Sequence, residues 1–532
     1  MIPTATLRRL GLVCLVFLLS QFAGLAVTPV GEGMDGYGHL AYTDFYAAQG
    51  RAPKPGELSM AAWIVTLRQD LPGPDFSTTG ERYRRWAGLA PEEQKRIADR
   101  LGATVETDVY IQDNYQSQHP PLYYALLSPI YQLFKRSLPI GAQLFILGLV
   151  SVCMAMLAFP GLYLTLRLYL DETASLIALL ALAWFPNFLP FLGRITNDAL
   201  AFPLMVWAVY FCLRCRGPQS RKSILISGLL ITVAGFAKTY ALTLWPLYIA
   251  CAFAGEQRRR WREAGLALLI GCAGTGALLA FNQVTTGHII LLKHMVALES
   301  TPILERISWV ARLNPIWFFG GLVKGFWWSG YWSFVSPGLI YYAPLGLLPA
   351  LLFIRTRAAW RNAWSALWPH LLAILAFVMA MVWHAATFAL LASLQGQRGF
   401  SGNEGWYANV LVGCFASIAL ALLKPRMSPA ALRRTLVATA VFMAVWNVFA
   451  RFGLAAYWMG LTDIEGRNRG VIWTQALPAM LSPGAWQDWL ALPGVIEPVA
   501  LTSLLPLLTA IGLTTVALNR WLTRPRLIIP AT

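Results

Sequence analysis

Apolar runs of about 20 residues recur along this chain, joined by short polar links rich in arginine. Twenty residues is about the length a helix needs to cross a bilayer's hydrocarbon core. Lipid offers the backbone no hydrogen-bond partners, so such runs are read as helices. The pattern predicts twelve spans, at roughly 10–30, 142–168, 173–190, 199–213, 223–237, 240–254, 264–282, 337–354, 368–391, 407–423, 435–450 and 500–519. The first run follows Arg8 and Arg9 and is long for a cleaved leader, so it is expected to stay as a span entering from the cytoplasm.

Between the first two spans the pattern turns polar. Residues 31–118 hold 13 of the chain's 25 acidic residues, with turn-forming Pro and Gly at 52–56 and 71–74. This predicts an extramembrane subdomain, which with its juxtamembrane helices extends to residue 141. The apolar piece Leu122–Phe134, interrupted by Pro129, is too short to cross and is expected to lie at the membrane interface. Two further outer segments are expected at about 283–336 and 451–499. The organisation that follows is a first transmembrane helix (1–30), the outer subdomain (31–141), spans two to eleven (142–450), the 451–499 segment, and a last span with its tail (500–532).

Composition and charge sharpen this. The chain is 57% hydrophobic and 13% charged, with a net charge of +17. The links assigned to the inner side hold 21 of the 42 Lys and Arg residues and only four acidic residues, Asp171, Glu172, Glu256 and Glu263. All the net charge therefore falls on one face. The positive-inside rule accounts for it without a nucleic-acid partner and puts both termini in the cytoplasm. Counting Leu122–Phe134 as a span would invert every later loop. The seven cysteines lie in or at the ends of apolar runs and suggest no disulfide framework; Cys212 and Cys215 lack the further ligands of a zinc site. The fold class is thus an all-α polytopic membrane protein.

Candidate chemistry gathers at the outer ends of spans. Asp35, His39 and Tyr42 follow the first span at helical spacing and would share a face. Asp35 is either a helix N-cap or a carboxylate placed to take a proton or hold a metal ion. His119 stands before Pro120 and Pro121 and is held extended. Asp198 begins the fourth span, as a cap or as a sugar or metal contact. Lys238, in the apolar run Gly235-Phe-Ala-Lys-Thr-Tyr240, is a charge too costly to leave idle.

The run Asp35-Gly-Tyr-Gly-His39-Leu-Ala-Tyr42 resembles the first-loop motif of the GT-C membrane glycosyltransferases, among them protein O-mannosyltransferases and lipid A aminoarabinose transferases. His119-Pro-Pro-Leu-Tyr123-Tyr124 is similar to the motif that closes the same loop. Ile195-Thr-Asn-Asp198 resembles the family's acidic motif between the third and fourth spans. Gly405-Trp406-Tyr407, after Gln395 and Arg398, loosely resembles a late element. In one place the chain departs: the family's Glu after the Asp is Gly36 here, leaving Asp108, Asp113 or Glu404 as candidates for a second acid.

The resemblance implies a GT-C-like architecture and a polyprenyl-phosphate-linked sugar donor used on the outer, periplasmic face of a bacterial inner membrane. The acceptor would be a glycan, lipid or protein, and membrane lipids are the surroundings. Asp35 would be the general base of an inverting transfer. His39, His119, Tyr123, Asp198, Lys238, Arg398, Glu404 and Tyr407 would contact substrate. The cations that could meet the leaving phosphate are Arg194, Lys238, Lys293, Arg312, Lys324 and Arg398. A divalent metal ion is an open possibility, because the usual carboxylate partner is missing. Two other readings stay beside this one: a transporter or flippase, and an inactive relative serving as an assembly partner. No inverted repeat, P-loop or dinucleotide fingerprint is present.

Overall fold

The computed structural model of the chain describes residues 3–28, 35–70, 86–105, 108–217, 220–254, 260–287, 289, 302–328, 330, 335–338, 341–342, 345, 360–394, 405–465, 470–482, 484–490, 492 and 497–523. It is mostly helical. Among the described residues seven helices are long and apolar enough to cross a membrane: Thr4–Val27, Ile140–Arg167, Arg260–Thr286, Ala363–Leu394, Gly405–Arg426, Pro429–Trp458 and Leu504–Trp521. They answer the longest apolar runs, and several outlast them. The helix expected over 435–450 extends from Pro429 to Trp458, so the outer segment begins later than residue 451. The span expected at 337–354 lies mostly outside the described residues.

The first helix is α1 (Thr4–Val27). After it come α2 (Gly36–Gln49), β1 (Leu58–Ala61), α3 (Ala62–Asp70), α4 (Pro91–Gly102), β2 (Tyr110–Asp113) and α5 (Leu122–Gln132). The bundle resumes with α6 (Ile140–Met156), α7 (Ala158–Arg167), α8 (Glu172–Ala183), α9 (Phe188–Leu192), α10 (Asp198–Arg214), α11 (Ser220–Ala237) and α12 (Trp245–Phe253). The span expected at 173–190 is not continuous. Pro186 disfavours helical backbone at Phe185, so α8 stops at Ala183 and the chain restarts as the five-residue α9.

Links that the charge count assigns to one side do meet on one side. Arg9 pairs with Glu172 at 3.0 Å and Arg433 with Asp171 at 3.3 Å. Nearby, Lys424 Nζ donates to the Tyr169 carbonyl (2.8 Å) and Arg216 to that of Ser365 (2.7 Å).

At the opposite end of α1 the polar stretch forms a small layered unit. β1 and β2 pair antiparallel, and α2 lies against α5. Leu40, Tyr42, Met60, Ile64, Tyr123, Tyr124, Leu127 and Tyr131 make its core, joined by Leu147, Ile195 and Ala199 of the bundle. Fully burying one large apolar side chain contributes about 1.5–3 kcal/mol, so three inward tyrosines on α5 bind that helix firmly. The other face of α5 carries Leu126, 48% exposed, and Leu133 just past its end is 81% exposed. An eleven-residue helix with an apolar outer face suits the membrane interface, not a crossing.

A buried ion cluster clamps the far ends of α2 and α5. Asp44 is fully buried and accepts from Lys135 Nζ at 2.7 Å and from Tyr131 Oη at 3.1 Å. Lys135 also pairs with Asp108, which takes Arg136 at 3.0 Å. Asp108 is thereby committed to this clamp, away from Asp35.

Candidate active site

Asp35 sits at the first residue of the polar unit with φ of 54°. Among the described residues it is the one non-glycine with positive φ. Left-handed backbone is costly for L-residues, and Asp is one of the few that tolerate it. α2 starts at the next residue, but the Asp35 side chain does not cap it. Its Oδ1 instead accepts a hydrogen bond from Tyr115 Oη, 80 residues later in the chain. The simple N-cap reading of Asp35 therefore does not hold.

Tyr115 lies in a 3-10 turn, Tyr115–Gln118, that is fastened to α2. Asn114 Oδ1 accepts from the Gln116 backbone (3.0 Å) while its Nδ2 donates to the Gly38 carbonyl (2.7 Å). The fit is close: a Cβ at Gly38 would stand 2.5 Å from Gln116 Cγ. The turn delivers His119 to α2. The rings of His39 and His119 stack with centroids 5.8 Å apart, and Tyr42 stacks on Tyr124 at 3.7 Å. His39 Nδ1 shares a hydrogen bond with Tyr124 Oη (2.7 Å), and Tyr42 donates to the His119 carbonyl (3.2 Å). Burial holds His39 well below the usual imidazole range, helped by His119, Lys238 and Arg194. Burial, then Lys238, lowers His119 to about 3. Both rings are neutral at physiological pH.

The second half of the site comes from the bundle. Asp198, at the head of α10, is fully buried. Lys238 Nζ lies 2.6 Å from its Oδ1, and Tyr240 donates to the same oxygen at 2.7 Å. Thr196 Oγ1 donates to Oδ2 at 2.9 Å, and the Arg194 guanidinium stands 3.7 Å away. Asn197 occupies the N-cap position, so Asp198 is an ion-pair centre and not a cap. Lys238 lies over the Tyr407 ring, 4.6 Å from its centroid. Tyr123 ties the two halves: its hydroxyl meets Ser151 Oγ (2.7 Å) and accepts from the Thr196 backbone (3.0 Å).

Of the residues singled out from the sequence, His39, His119, Asp198, Lys238 and Tyr407 thus converge, and Asp35 stands one helical turn from His39. Tyr123 is a strut behind them, fully buried, with its hydroxyl engaged by Ser151 and Thr196. Arg398, Glu404 and Lys293 lie outside the described residues. Arg312 is stacked on Trp309 (4.7 Å) in the outer helix Ile303–Arg312. Sequence reasoning missed Tyr115, Tyr240 and Thr196. Thr196 and Tyr240 each lie two residues from a chosen charge, which was a usable signal; nothing local marks Tyr115.

The described residues do not fit a divalent ion. Among the described residues no three His, Cys, Asp or Glu side chains converge as metal donors. Asp35 accepts from a phenol, and Asp198 is filled by two cations and two hydroxyls.

Residues 118–284 match the family model described as Dolichyl-phosphate-mannose-protein mannosyltransferase. That stretch opens at the His119 motif and takes in Asp198 and Lys238. The chain resembles the GT-C membrane glycosyltransferases. Solved structures with a looser likeness include the apo oligosaccharyltransferase of Archaeoglobus fulgidus, at 12% identity, TM-score 0.44, covering 92% of this chain and 59% of that one. ArnT from Cupriavidus metallidurans is similar at 14% identity, TM-score 0.41, covering 98% and 78%. The arabinosyltransferase EmbB from Mycobacterium smegmatis gives 12%, 0.35, 98% and 41%. The chain spans 59% of the length of the oligosaccharyltransferase it matches. No curated protein matches it by sequence.

Proposed function

We propose that this chain is a membrane glycosyltransferase that moves a sugar from a polyprenyl-phosphate donor to an acceptor hydroxyl on the outer face of a bacterial inner membrane. The observation that carries the reading is the convergence of four separated sequence motifs. Two neutral histidines, His39 and His119, and the Asp198–Lys238 pair at the Tyr407 ring lie at one end of the bundle, with Asp35 one helical turn from His39.

In this reading Asp35 takes the proton of the acceptor hydroxyl. The acceptor oxygen bonds to the anomeric carbon as the bond from that carbon to the phosphate oxygen breaks. The electron pair leaves on the polyprenyl phosphate, and attack from the opposite side inverts the anomeric centre. A phosphate leaves without needing a proton, so the chemistry asks for one base and for cations to meet developing negative charge. Lys238 and Arg194 supply those cations, and Tyr407 lines their approach. His39 and His119, being neutral, offer hydrogen bonds to the sugar without repelling the cations.

The test is transfer by purified protein from a panel of radiolabelled polyprenyl-phosphate sugars. Intact protein should transfer; Asp35→Asn should bind donor and not transfer. Equal transfer by both would remove Asp35 as the base, and a complete lack of donor binding would overturn the enzyme reading.

A further inference from the structure

Asp35 is the catalytic centre of the proposed reaction, and the fold devotes an unusual arrangement to it. Its backbone is left-handed, its side chain is not spent on the helix it precedes, and the residue after it has no side chain. A phenol from the far end of the polar unit reaches it instead. The turn that brings this phenol is held by four hydrogen bonds. Asn114 bonds Gly38 and Gln116, the Ser117 backbone donates to the Asn114 carbonyl (3.0 Å), and the His119 backbone to that of Gln116 (2.9 Å). Burial and then the neighbouring Asp35 carboxylate push the Tyr115 hydroxyl well above the usual phenol range. The phenol therefore keeps its proton at every working pH and can only donate to the carboxylate.

We infer that Tyr115 is the positioning residue of the Asp35 base: its O–H fixes the rotation of the carboxylate and stands where a second acid or a metal ion would otherwise support it. This inference rests on Asp35 acting as the base. A hydrogen bond to an ionised carboxylate favours that form. Tyr115 needs no contact with either substrate for this.

Tyr115→Phe keeps the ring and removes the hydroxyl, with its hydrogen bond to Asp35 and its contact with the Gln116 side chain. Its kcat should fall about ten- to a hundredfold, the range for disturbing a positioned general base. Donor KM should stay within about twofold. The acidic limb of the kcat–pH profile should move to higher pH by about one unit, the size expected for losing one hydrogen bond to a carboxylate. Unchanged kcat with an unmoved acidic limb would overturn the role of Tyr115. If Asp35→Asn is inactive in the same assay, the base reading stands without it; if Asp35→Asn is active, the base reading itself fails.

A second measurement needs no turnover. Thermal unfolding of Tyr115→Phe, Asp35→Gly and the double variant forms a cycle. Tyr115→Phe should lower the midpoint in the intact background and lower it clearly less in the Asp35→Gly background, where only the contact with Gln116 is lost. Equal losses in both would show that Tyr115 stabilises the turn alone, and would overturn the inference.

Discussion

Lys238 and Asp198 form an ion pair of 2.6 Å in which the carboxylate is fully buried and the lysine 5% exposed. They lie 40 residues apart, at the end of α11 and the head of α10. A charge in such a place is retained for its pairing or for a ligand, since alone it would be expelled. In the proposed reaction the donor phosphate competes with Asp198 for this lysine. Asp198 then holds Lys238 in place while no donor is bound.

Removing one partner of such a pair should cost about 3–5 kcal/mol, because the other charge stays buried without it. Asp198→Asn and Lys238→Met should each lower the unfolding midpoint markedly, and the double variant should lower it less than the sum. Donor binding should separate the two: it should be lost in Lys238→Met and kept in the folded fraction of Asp198→Asn. Isothermal titration or retention on a donor-analogue resin would read this. Equal donor affinity in both would place the phosphate elsewhere.

The Asp44 clamp has the opposite profile. Asp44 is fully buried with Lys135, and Asp44→Ala should destabilise by about 3–5 kcal/mol. Yet it lies at the far end of α2 from Asp35. Protein that remains folded should keep its kcat, measured per active molecule. A selective loss of kcat without loss of stability would tie this cluster to the chemistry.

How much of this was legible beforehand depends on range. The long apolar runs predicted helices because bilayer thickness and backbone hydrogen bonding leave little choice, and among the described residues seven helices are long and apolar enough to cross a membrane. The break at Pro186 was written in the chain and overlooked because hydropathy averages across it. His39 and His119 could be found from local pattern. Tyr115 could not: its importance comes from a contact across 80 residues, set by how one turn seats on Gly38. Nor could the partnership of Asp198 with Lys238, since sequence showed two isolated charges and only packing made them a pair.

The neutral histidines give a pH signature. His39, 2% exposed, is held well below its usual range and His119 at about 3, whereas both protonate near 6.5 in the unfolded chain. Between those values the unfolded state binds more protons, so stability rises with pH across this window. The contribution is complete above about pH 6.5 and is lost as pH falls toward 3, by up to about 1.4 kcal/mol per pH unit for each histidine. Chemical unfolding at pH 7 and pH 5 should show this loss. The slope should flatten in His39→Gln with His119→Gln; an unchanged slope would mean that the carboxylates alone govern acid stability.

Two glycines two residues apart should behave oppositely. At Gly38 an added Cβ would meet Gln116 Cγ at 2.5 Å and Asn114 Oδ1 at 3.2 Å. Gly38→Ala must therefore displace the Gln116 side chain and press on those of Asn114 and Tyr115, and transfer should drop by about tenfold, the order expected when a positioned group moves by a fraction of an ångström. At Gly36 a Cβ meets nothing within 4 Å, and the backbone there is ordinary helix. Gly36→Glu adds a carboxylate directly after Asp35, at a helix N-terminus where a negative charge is favourable by about 0.3–1 kcal/mol. That variant should fold at least as well as the parent, read by its unfolding midpoint. Its turnover then bears on why the chain lacks the second acid: unchanged kcat would mean that Asp35 with Tyr115 is already sufficient, and a large gain would mean that the Tyr115 arrangement is the weaker substitute.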